Sequence, residues 1–411
     1  MSGLSGLSGL RATLKHRLHG SDELLIDVTR LLVQLSANKL PTGIDRVCLA
    51  YVAQFGAISR AVIQVRHGVF SYSNILTRAE SALLFDRLLN PSLNFKQWLV
   101  GFLAKSELTT WRKAAVHGHV YLNVGHMGIG VPGYGHWLKR LGVKPVFLVH
   151  DLIPISHPEY CVPKEKLRHI SRMETVLNHG AGVITNSQAS LDALQEFAAQ
   201  RGLRLPPAVS ALLGVDLIDA RMAQDMERPL PGPYFVVVST IEGRKNHLLL
   251  LKVWQRLVEQ LGKDAPGLVV IGRRGWEAES AMDLLDRCEP LQGFVVEKPF
   301  CSDAELVCYL QHAQALLFPS HIEGFGLPLA EALSLGTPVI ASDLAVFREI
   351  AHDIPEYIDP LDGMAWLSAV KDYAAQGSAR RGEQLGRMKG YRAPLWADHF
   401  ARVNAFLGEL H

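Results

Sequence analysis

The sequence predicts an α/β protein made of two doubly wound, Rossmann-like domains with parallel sheets. Three observations carry this. The chain has 411 residues, more than one ordinary core accommodates. Short apolar runs alternate with segments of helical period along both halves, the pattern of parallel strands joined by crossover helices. A polar stretch with three prolines, RMAQDMERPLPGP (221–233), interrupts that alternation and reads as an interdomain linker.

Taken in order, residues 1–23 open on a Ser-Gly-Leu repeat followed by basic residues. They lack the apolar run of a signal peptide and are expected to form a flexible basic leader, with an interfacial anchor as the alternative. The first domain is expected over 24–220. Leu24–Val28 reads as a strand, and the loop Pro41-Thr42-Gly43 leads into a helix over Ile44–Phe55. Val62–Val65, Val120–Asn123, Pro145–Val149 and Gly182–Thr185 are further strands, residues 79–115 are helical, and Ser187 caps the helix that follows it. The second domain is expected over 234–380, with strands at Phe235–Ser239, Leu268–Gly272, Phe294–Val296, Ala315–Phe318 and Val339–Ser342. Ser302 and Glu305 form a capping box. Residues 381–411 read as C-terminal helices that return to the first domain. No 20- to 50-residue period is present, which excludes a solenoid.

Composition narrows the function classes. Hydrophobic residues make up 48% and charged residues 20%, as in a globular protein. A formal charge of +2 gives no general basic surface for nucleic acid. Five scattered cysteines without a CxxC pair suit reduced thiols in a cytosolic protein. His117-x-His119 has no nearby cysteine or carboxylate to complete a zinc site. No apolar run is long enough for a spanning helix. Phe95, Trp98, Leu99, Phe102 and Leu103 recur at helical spacing, with Lys96, Lys105, Arg112 and Lys113 nearby. Core packing is the expected use of that face, and docking on a membrane surface is the alternative.

The sharpest motif is Ser320-His-Ile-Glu323-Gly324-Phe325-Gly326-Leu327-Pro328-Leu-Ala-Glu331, directly after the strand ALLFP. Gly324 and Gly326 allow close backbone approach, and Pro328 suits the first turn of a helix. A strand, a Gly-rich loop and a helix N-terminus make an anion site. Glu323 and Glu331 can face the same crevice there and accept hydrogen bonds from sugar hydroxyls. A second motif, Ser239-Thr240-Ile-Glu242-Gly-Arg244-Lys245-Asn246, follows the strand FVVVS. Arg244 offers a fork and Lys245 a point charge to phosphate oxygens. A third segment, Gly272-Arg273-Arg-Gly275-Trp276, follows Leu268–Ile271. In the first half, His150-Asp151-Leu-Ile-Pro154 follows a buried strand, and Gly125-His126 follows VYLN.

The spacing Glu323-x7-Glu331 within EGFGLPLAEALSLGTPVIASD resembles the hallmark of the retaining GT-B glycosyltransferases of family 4. The resemblance covers roughly residues 24–400 and is most specific over 235–350. Residues 242–246 resemble that family's EPRKN motif, with Gly243 in place of proline, and residues 272–276 its GKRGW segment. The HDxxP pattern at 150–154 resembles mannosyl- and rhamnosyltransferase-like members.

The resemblance implies two Rossmann-like domains facing across a cleft. It implies transfer of a hexosyl group, mannose or a related deoxyhexose, from a nucleoside diphosphate sugar to a saccharide or lipid-linked saccharide acceptor. The implied setting is bacterial surface polysaccharide assembly, in the cytoplasm or on its membrane face. Donor contacts fall to Gly43, Thr240, Arg244, Lys245, Gly272, Arg273, Glu323, Gly324, Phe325, Gly326, Leu327 and Glu331. His150, Asp151, Glu323, Arg244 and Lys245 are the implied catalytic set, with His126 and Asp151 on the acceptor side. No metal, other cofactor or nucleic acid is expected. The alternatives are a sugar-nucleotide epimerase, a glycogen-synthase-like enzyme, or a catalytically inactive nucleotide-binding subunit.

Overall fold

The structure, a computed structural model, describes residues 24–37, 42–67, 70–107, 116–216 and 219–410. The expected leader, 1–23, lies outside the described residues. Two compact units partition the chain. One holds the described residues up to Leu152, then Leu167–Leu213 and those from Trp396 on; the other holds Ile153–Lys166 and Gly214–Leu395.

The first unit contains a seven-stranded sheet: β1 (Leu24–Asp27), β2 (Ser59–His67), β3 (Phe70–Ile75), β4 (Val120–Asn123), β5 (Lys144–Val149), β6 (Gly182–Thr185) and β7 (Ala208–Ser210). Its order is β3-β2-β1-β4-β5-β6-β7. Every pairing is parallel except the antiparallel β2–β3 ladder. The central strands β1 and β4 are buried along their whole length, as expected where helices cover both faces. The strand order reverses between β1 and β4, which pair Leu25 with Tyr121.

The region expected to be helical, 79–115, holds two helices, Arg78–Leu89 and Phe95–Glu107. Pro91 explains the break, because proline disfavours helical geometry at the residue before it and lacks an N–H. Residues 108–115, with Trp111, lie outside the described residues. Phe95, Leu99 and Phe102 of the second helix are buried. Core packing accounts for these three side chains, while Trp98 and Leu103 of the same face are half-buried. No helix among the described residues is long and apolar enough to cross a membrane.

The second unit has a six-stranded, all-parallel sheet: β8 (Tyr234–Val238), β9 (Gly267–Ile271), β10 (Val295–Lys298), β11 (Leu316–Phe318), β12 (Val339–Ser342) and β13 (Glu356–Ile358). Its order, β10-β9-β8-β11-β12-β13, reverses between β8 and β11. Phe235, Val237, Leu268, Val270, Leu317 and Ile340 pack in one core with Trp254 and Trp366. The Trp254 indole N–H donates to the Pro266 carbonyl at 2.8 Å, so its burial leaves no orphan donor. The capping box at Ser302 and Glu305 is formed.

The unit boundaries differ from the expected ones. The chain changes unit at Leu213/Gly214, upstream of residues 221–233. That stretch is not a free linker: Ala223 is buried with Val307 and Cys308 of the helix Asp303–His312. The segment Ile153–Lys166 also belongs to the second unit. Within it, Tyr160 stacks on His321 with ring centroids 5.1 Å apart and planes 3° from parallel. Of the C-terminal helices, Ala379–Arg387 stays with the second unit and Trp396–Glu409 joins the first. There Phe400 packs edge-on to Tyr51 and Phe55. His399 Nδ1 lies 3.1 Å from the Ala211 carbonyl, so it carries the proton, and Nε2 accepts from the Tyr51 hydroxyl at 2.9 Å.

Candidate active site

Ligands of open α/β sheets bind beyond the carboxyl ends of the strands where the strand order reverses. In the second unit that place lies between β8 and β11, followed by loops 239–246 and 319–326. These loops hold the two strongest sequence motifs, and the fold brings them together. Glu323 Oε2 accepts from Arg244 Nη1 at 2.8 Å, and Glu323 Oε1 from Lys245 Nζ and from the Ser320 hydroxyl at 2.8 Å. Arg244 Nη2 also lies 2.7 Å from Glu242 Oε1. The His321 amide donates to the Arg244 carbonyl at 2.8 Å, which fixes the two backbones to each other.

Burial acts on Glu323, Glu242 and Lys245. It would raise the Glu323 carboxyl, but Arg244, Lys245 and the Ser320 hydroxyl outweigh it and hold the group down at about 2. Burial raises Glu242, and Arg244 and Lys245 only partly offset that. Burial lowers Lys245 against the opposing pull of Glu323. Arg244, Lys245 and Glu323 thus form one site, with Glu323 serving as partner of the two cations.

Asn246 supports the loop. It has φ of +58°, a conformation asparagine tolerates better than most residues. Its side-chain amide donates to the carbonyls of Pro319 at 3.1 Å and Pro360 at 2.9 Å. One buried side chain therefore ties the ends of β11 and β13 to the start of the helix His247–Leu261. His247 behind it is buried, and burial with Lys245 nearby holds it down at about 3.

The glycines have distinct reasons. Gly326 caps the helix Leu327–Ser334 with φ of +145°, and a Cβ there would lie 2.8 Å from the Phe347 ring. Only glycine brings the loop so close to the helix start and leaves its N–H groups available. At Gly272 a Cβ would lie 2.0 Å from the Ser239 carbonyl oxygen, so the 272–276 segment is pressed onto the 239–241 backbone.

The remaining expected donor residues are distributed as follows. Glu331 is buried on the helix Leu327–Ser334, and the Phe325 side chain is buried, so Phe325 can offer a ligand only backbone. Gly324 and Leu327 flank it in the same turn. Thr240 is exposed at the end of β8. The Arg273 guanidinium lies over the exposed Phe300 ring, 4.8 Å from its centroid. Arg274 beside it pairs with Asp286 and Glu297 on the surface.

The first unit holds the other candidates. His150 follows β5 and is buried, and Nε2 donates to the Val124 carbonyl at 2.8 Å. Because a carbonyl only accepts, Nε2 carries the proton and Nδ1 is left as an acceptor. Burial holds this imidazole down at about 4, so it is neutral near pH 7. His126 has φ of +59° and donates through Nε2 to the Leu148 carbonyl at 2.6 Å. Its ring lies 5.1 Å from that of His150, and burial with the neighbouring His150 and His169 keeps it well below the usual value. His169 Nε2 donates to the Asp151 carbonyl at 3.0 Å. Gly43 begins the helix Gly43–Phe55, behind Thr42, whose N–H donates to Asp45 at 2.8 Å; Arg30 donates to the same carboxylate at 2.7 Å.

Sequence reasoning missed a buried polar cluster at the ends of β1 and β4. Asp27 accepts from Gln64 at 2.6 Å and from the Tyr121 hydroxyl at 2.8 Å, and Asn123 donates to the Met127 carbonyl at 2.9 Å. The available signal was a polar residue closing each of two apolar strands, LLID and VYLN.

Residues 220–355 match the family described as Glycosyl transferases group 1. The chain is 27% identical over 255 residues to the serotype-specific mannosyltransferase WbdA of Escherichia coli, an alignment covering 58% of this chain and 31% of that protein. It is 29% identical over 240 residues to the O-antigen chain mannosyltransferase B of Escherichia coli, covering 56% of this chain and 61% of that one. O-antigen chain mannosyltransferase RfbU of Salmonella typhimurium is 27% identical over 227 residues, covering 54% and 59%. The matched segment thus spans only about a third of WbdA. Among solved structures, Anabaena HepE in complex with UDP superposes with a TM-score of 0.62 at 14% identity, covering 94% of this chain and 98% of that one. A UDP-forming α,α-trehalose-phosphate synthase from Burkholderia vietnamiensis gives 0.59 at 14%, covering 94% and 100%. With two Rossmann-like units and these neighbours, the fold is GT-B, and residues 220–355 carry a group 1 glycosyl transferase domain.

Proposed function

We propose that the chain is a retaining, metal-independent glycosyltransferase. It moves mannose or a related deoxyhexose from a nucleoside diphosphate sugar to a saccharide or lipid-linked saccharide acceptor in surface polysaccharide biosynthesis. The observation that carries this is the joining of Arg244, Lys245 and Glu323 at the β8/β11 reversal, beside the helix that begins at Leu327. Two cations and a helix N-terminus suit a diphosphate whose charge grows as the sugar leaves. The mannosyltransferase names of three relatives support the donor sugar and the pathway.

In this reading the protein supplies position and charge rather than a side-chain nucleophile. Arg244 and Lys245 bind the diphosphate, and the amides of 324–327 bind donor oxygens. Glu331, buried on the first turns of its helix, accepts from a ribose hydroxyl. Glu323 orients the cations and meets the sugar. His150, neutral and with Nδ1 free of the proton, accepts a hydrogen bond from a sugar hydroxyl; Asp151 and His126 serve the acceptor.

A thermal-shift screen of nucleoside diphosphates and their sugars, followed by transfer assays with anomeric configuration read by NMR, tests the proposal. Binding and transfer of mannose from GDP-mannose with retained configuration are expected. Inversion would overturn the mechanism, and transfer restricted to uridine donors would overturn the donor. Glu331→Ala should weaken nucleoside diphosphate binding by about 1.5 to 3 kcal/mol, the value of a hydrogen bond to a charged group. An unchanged dissociation constant would sink the ribose role.

A further inference from the structure

Arg244 and Lys245 are already occupied by carboxylates. Arg244 Nη2 lies 2.7 Å from Glu242 and Nη1 2.8 Å from Glu323, while Lys245 sits on the other oxygen of Glu323. The Glu242 and Glu323 side chains are 3% and 7% exposed. Two positive and two negative charges make this cluster neutral before any ligand arrives. On the reading proposed above, a sugar nucleotide brings two more negative charges to the same guanidinium and ammonium. Gathering net negative charge in a largely buried site is costly.

One carboxylate of the cluster can relieve that cost by becoming protonated, and geometry selects which one. Glu323 is held by both cations and the Ser320 hydroxyl. Among the described residues Glu242 shares one direct ion pair, with the guanidinium that phosphate oxygens would claim. Of the elements around it, its own loop contributes Arg244 and Lys245, and loop 319–326 contributes Glu323, whose charge disfavours a charged Glu242. The 272–277 segment approaches through Gly275, where a Cβ would lie 3.5 Å from the Glu242 Cβ; of its charged residues, Glu277 packs against Gly243, Arg274 pairs with Asp286 and Glu297, and Arg273 lies over the Phe300 ring. Burial already lifts Glu242 above the usual carboxylate range, whereas Glu323 is held at about 2.

We propose that Glu242 is a proton-accepting positioning residue, which holds Arg244 in the donor-free protein and takes up a solvent proton when a sugar-nucleotide diphosphate displaces it from the guanidinium. The Glu242–Arg244 ion pair breaks, an O–H bond forms on Glu242, and Arg244 pairs with phosphate. Cluster and ligand together then carry one negative charge instead of two.

The test is calorimetry of GDP-mannose and UDP-glucose binding in buffers of different ionisation enthalpy. Their diphosphates keep both charges near neutral pH, so any proton taken up belongs to the protein. Wild-type protein should take up about one proton per donor bound, with affinity falling as pH rises by up to about tenfold per unit. Glu242→Gln keeps a carbonyl oxygen for Arg244, and should bind without proton uptake and at least as tightly above neutral pH. Donor binding to the wild type without proton uptake overturns the proposal whatever the variant does, as does uptake that persists in Glu242→Gln. If neither sugar nucleotide binds the wild type, the donor reading of the site fails, and the linkage with it.

Discussion

The Arg244 guanidinium donates from Nη1 to Glu323 Oε2 at 2.8 Å, joining loops whose partners stand 79 positions apart in the chain. The pair closes the point where the strand order reverses, with Lys245 on the second oxygen of the same carboxylate.

Removing either cation should therefore affect chemistry and the loop together, and conservative variants separate the two. Lys245→Met keeps most of the volume and Arg244→Lys keeps the charge but loses the fork. Each should lower turnover on the order of a hundredfold, as for loss of one transition-state donor. Circular dichroism should show both folded. Near wild-type turnover in both would place the diphosphate elsewhere.

Asn246 should matter more than an ordinary loop residue. Asn246→Ala removes hydrogen bonds to Pro319 and Pro360 and puts a less tolerant residue at a φ of +58°. Two hydrogen bonds and the backbone strain suggest a loss of about 2 to 4 kcal/mol in the second unit. Urea unfolding measures it. Asn246→Gly, which relieves the strain but not the lost bonds, should recover only part. Full recovery would show that the side-chain amide contributes nothing.

Acid should destabilise both units above the range where carboxylates titrate. Burial keeps His150 and His399 of the first unit at about 4 and His247 of the second at about 3. Each folded value is depressed, so the unfolded chain takes up protons first. This stability is present above the unfolded value of about 6.5 and is lost as pH falls towards the folded values. The limiting slope is about 2.7 kcal/mol per pH unit from His150 and His399, to which His126 adds in the first unit, and about 1.4 from His247. Melting curves between pH 7 and pH 5 (roughly the upper part of that window) should show a falling midpoint, less steep in His399→Gln. A flat profile would mean that these imidazoles titrate normally.

How legible the molecule was depended on how local each feature is. Buried parallel strands are continuous apolar runs, so FVVV, LVVI and VIAS could be read directly from the sequence. The strand at 70–75, FSYSNI, could not, because an antiparallel edge strand carries no such run, and three-residue β13 is too short to stand out. Glu323, Arg244 and Lys245 were each recognisable within their loops. Their mutual pairing was not, since charges 78 and 79 positions apart leave no periodic trace. The role of Asn246 was hidden for the same reason, as both its carbonyl partners come from other strand ends.

His150 gives a prediction that separates the units. It belongs to the first unit and the Arg244–Lys245–Glu323 site to the second. His150→Ala should keep nucleoside diphosphate affinity while losing transfer. His150→Asn, which can still offer an acceptor, should restore part of the rate. Because the imidazole is held at about 4, the pH–rate profile should show no step from it near pH 6.5. A tenfold fall in nucleotide affinity (about 1.4 kcal/mol) with surviving transfer would overturn this role.

Transfer should proceed without a divalent metal. A diphosphate leaving group must have its growing negative charge offset, and hard cations do this where clustered oxygens can hold them. The two carboxylates at this site are otherwise engaged. Glu323 accepts from Lys245, Arg244 and Ser320, and Glu242 pairs with Arg244. A metal bound there would have to displace a charged partner from a buried carboxylate, which is unfavourable. On the proposed reading the offset comes from the two cations, the N–H groups at the start of the helix Leu327–Ser334, and the proton taken up on Glu242. Excess EDTA should leave the initial rate nearly unchanged, and added magnesium or manganese should act at most on product release. A rate that collapses with EDTA and returns with one specific metal would mean that Arg244 and Lys245 do not carry the charge of the departing diphosphate, and would remove the ground for proton uptake at Glu242 as well.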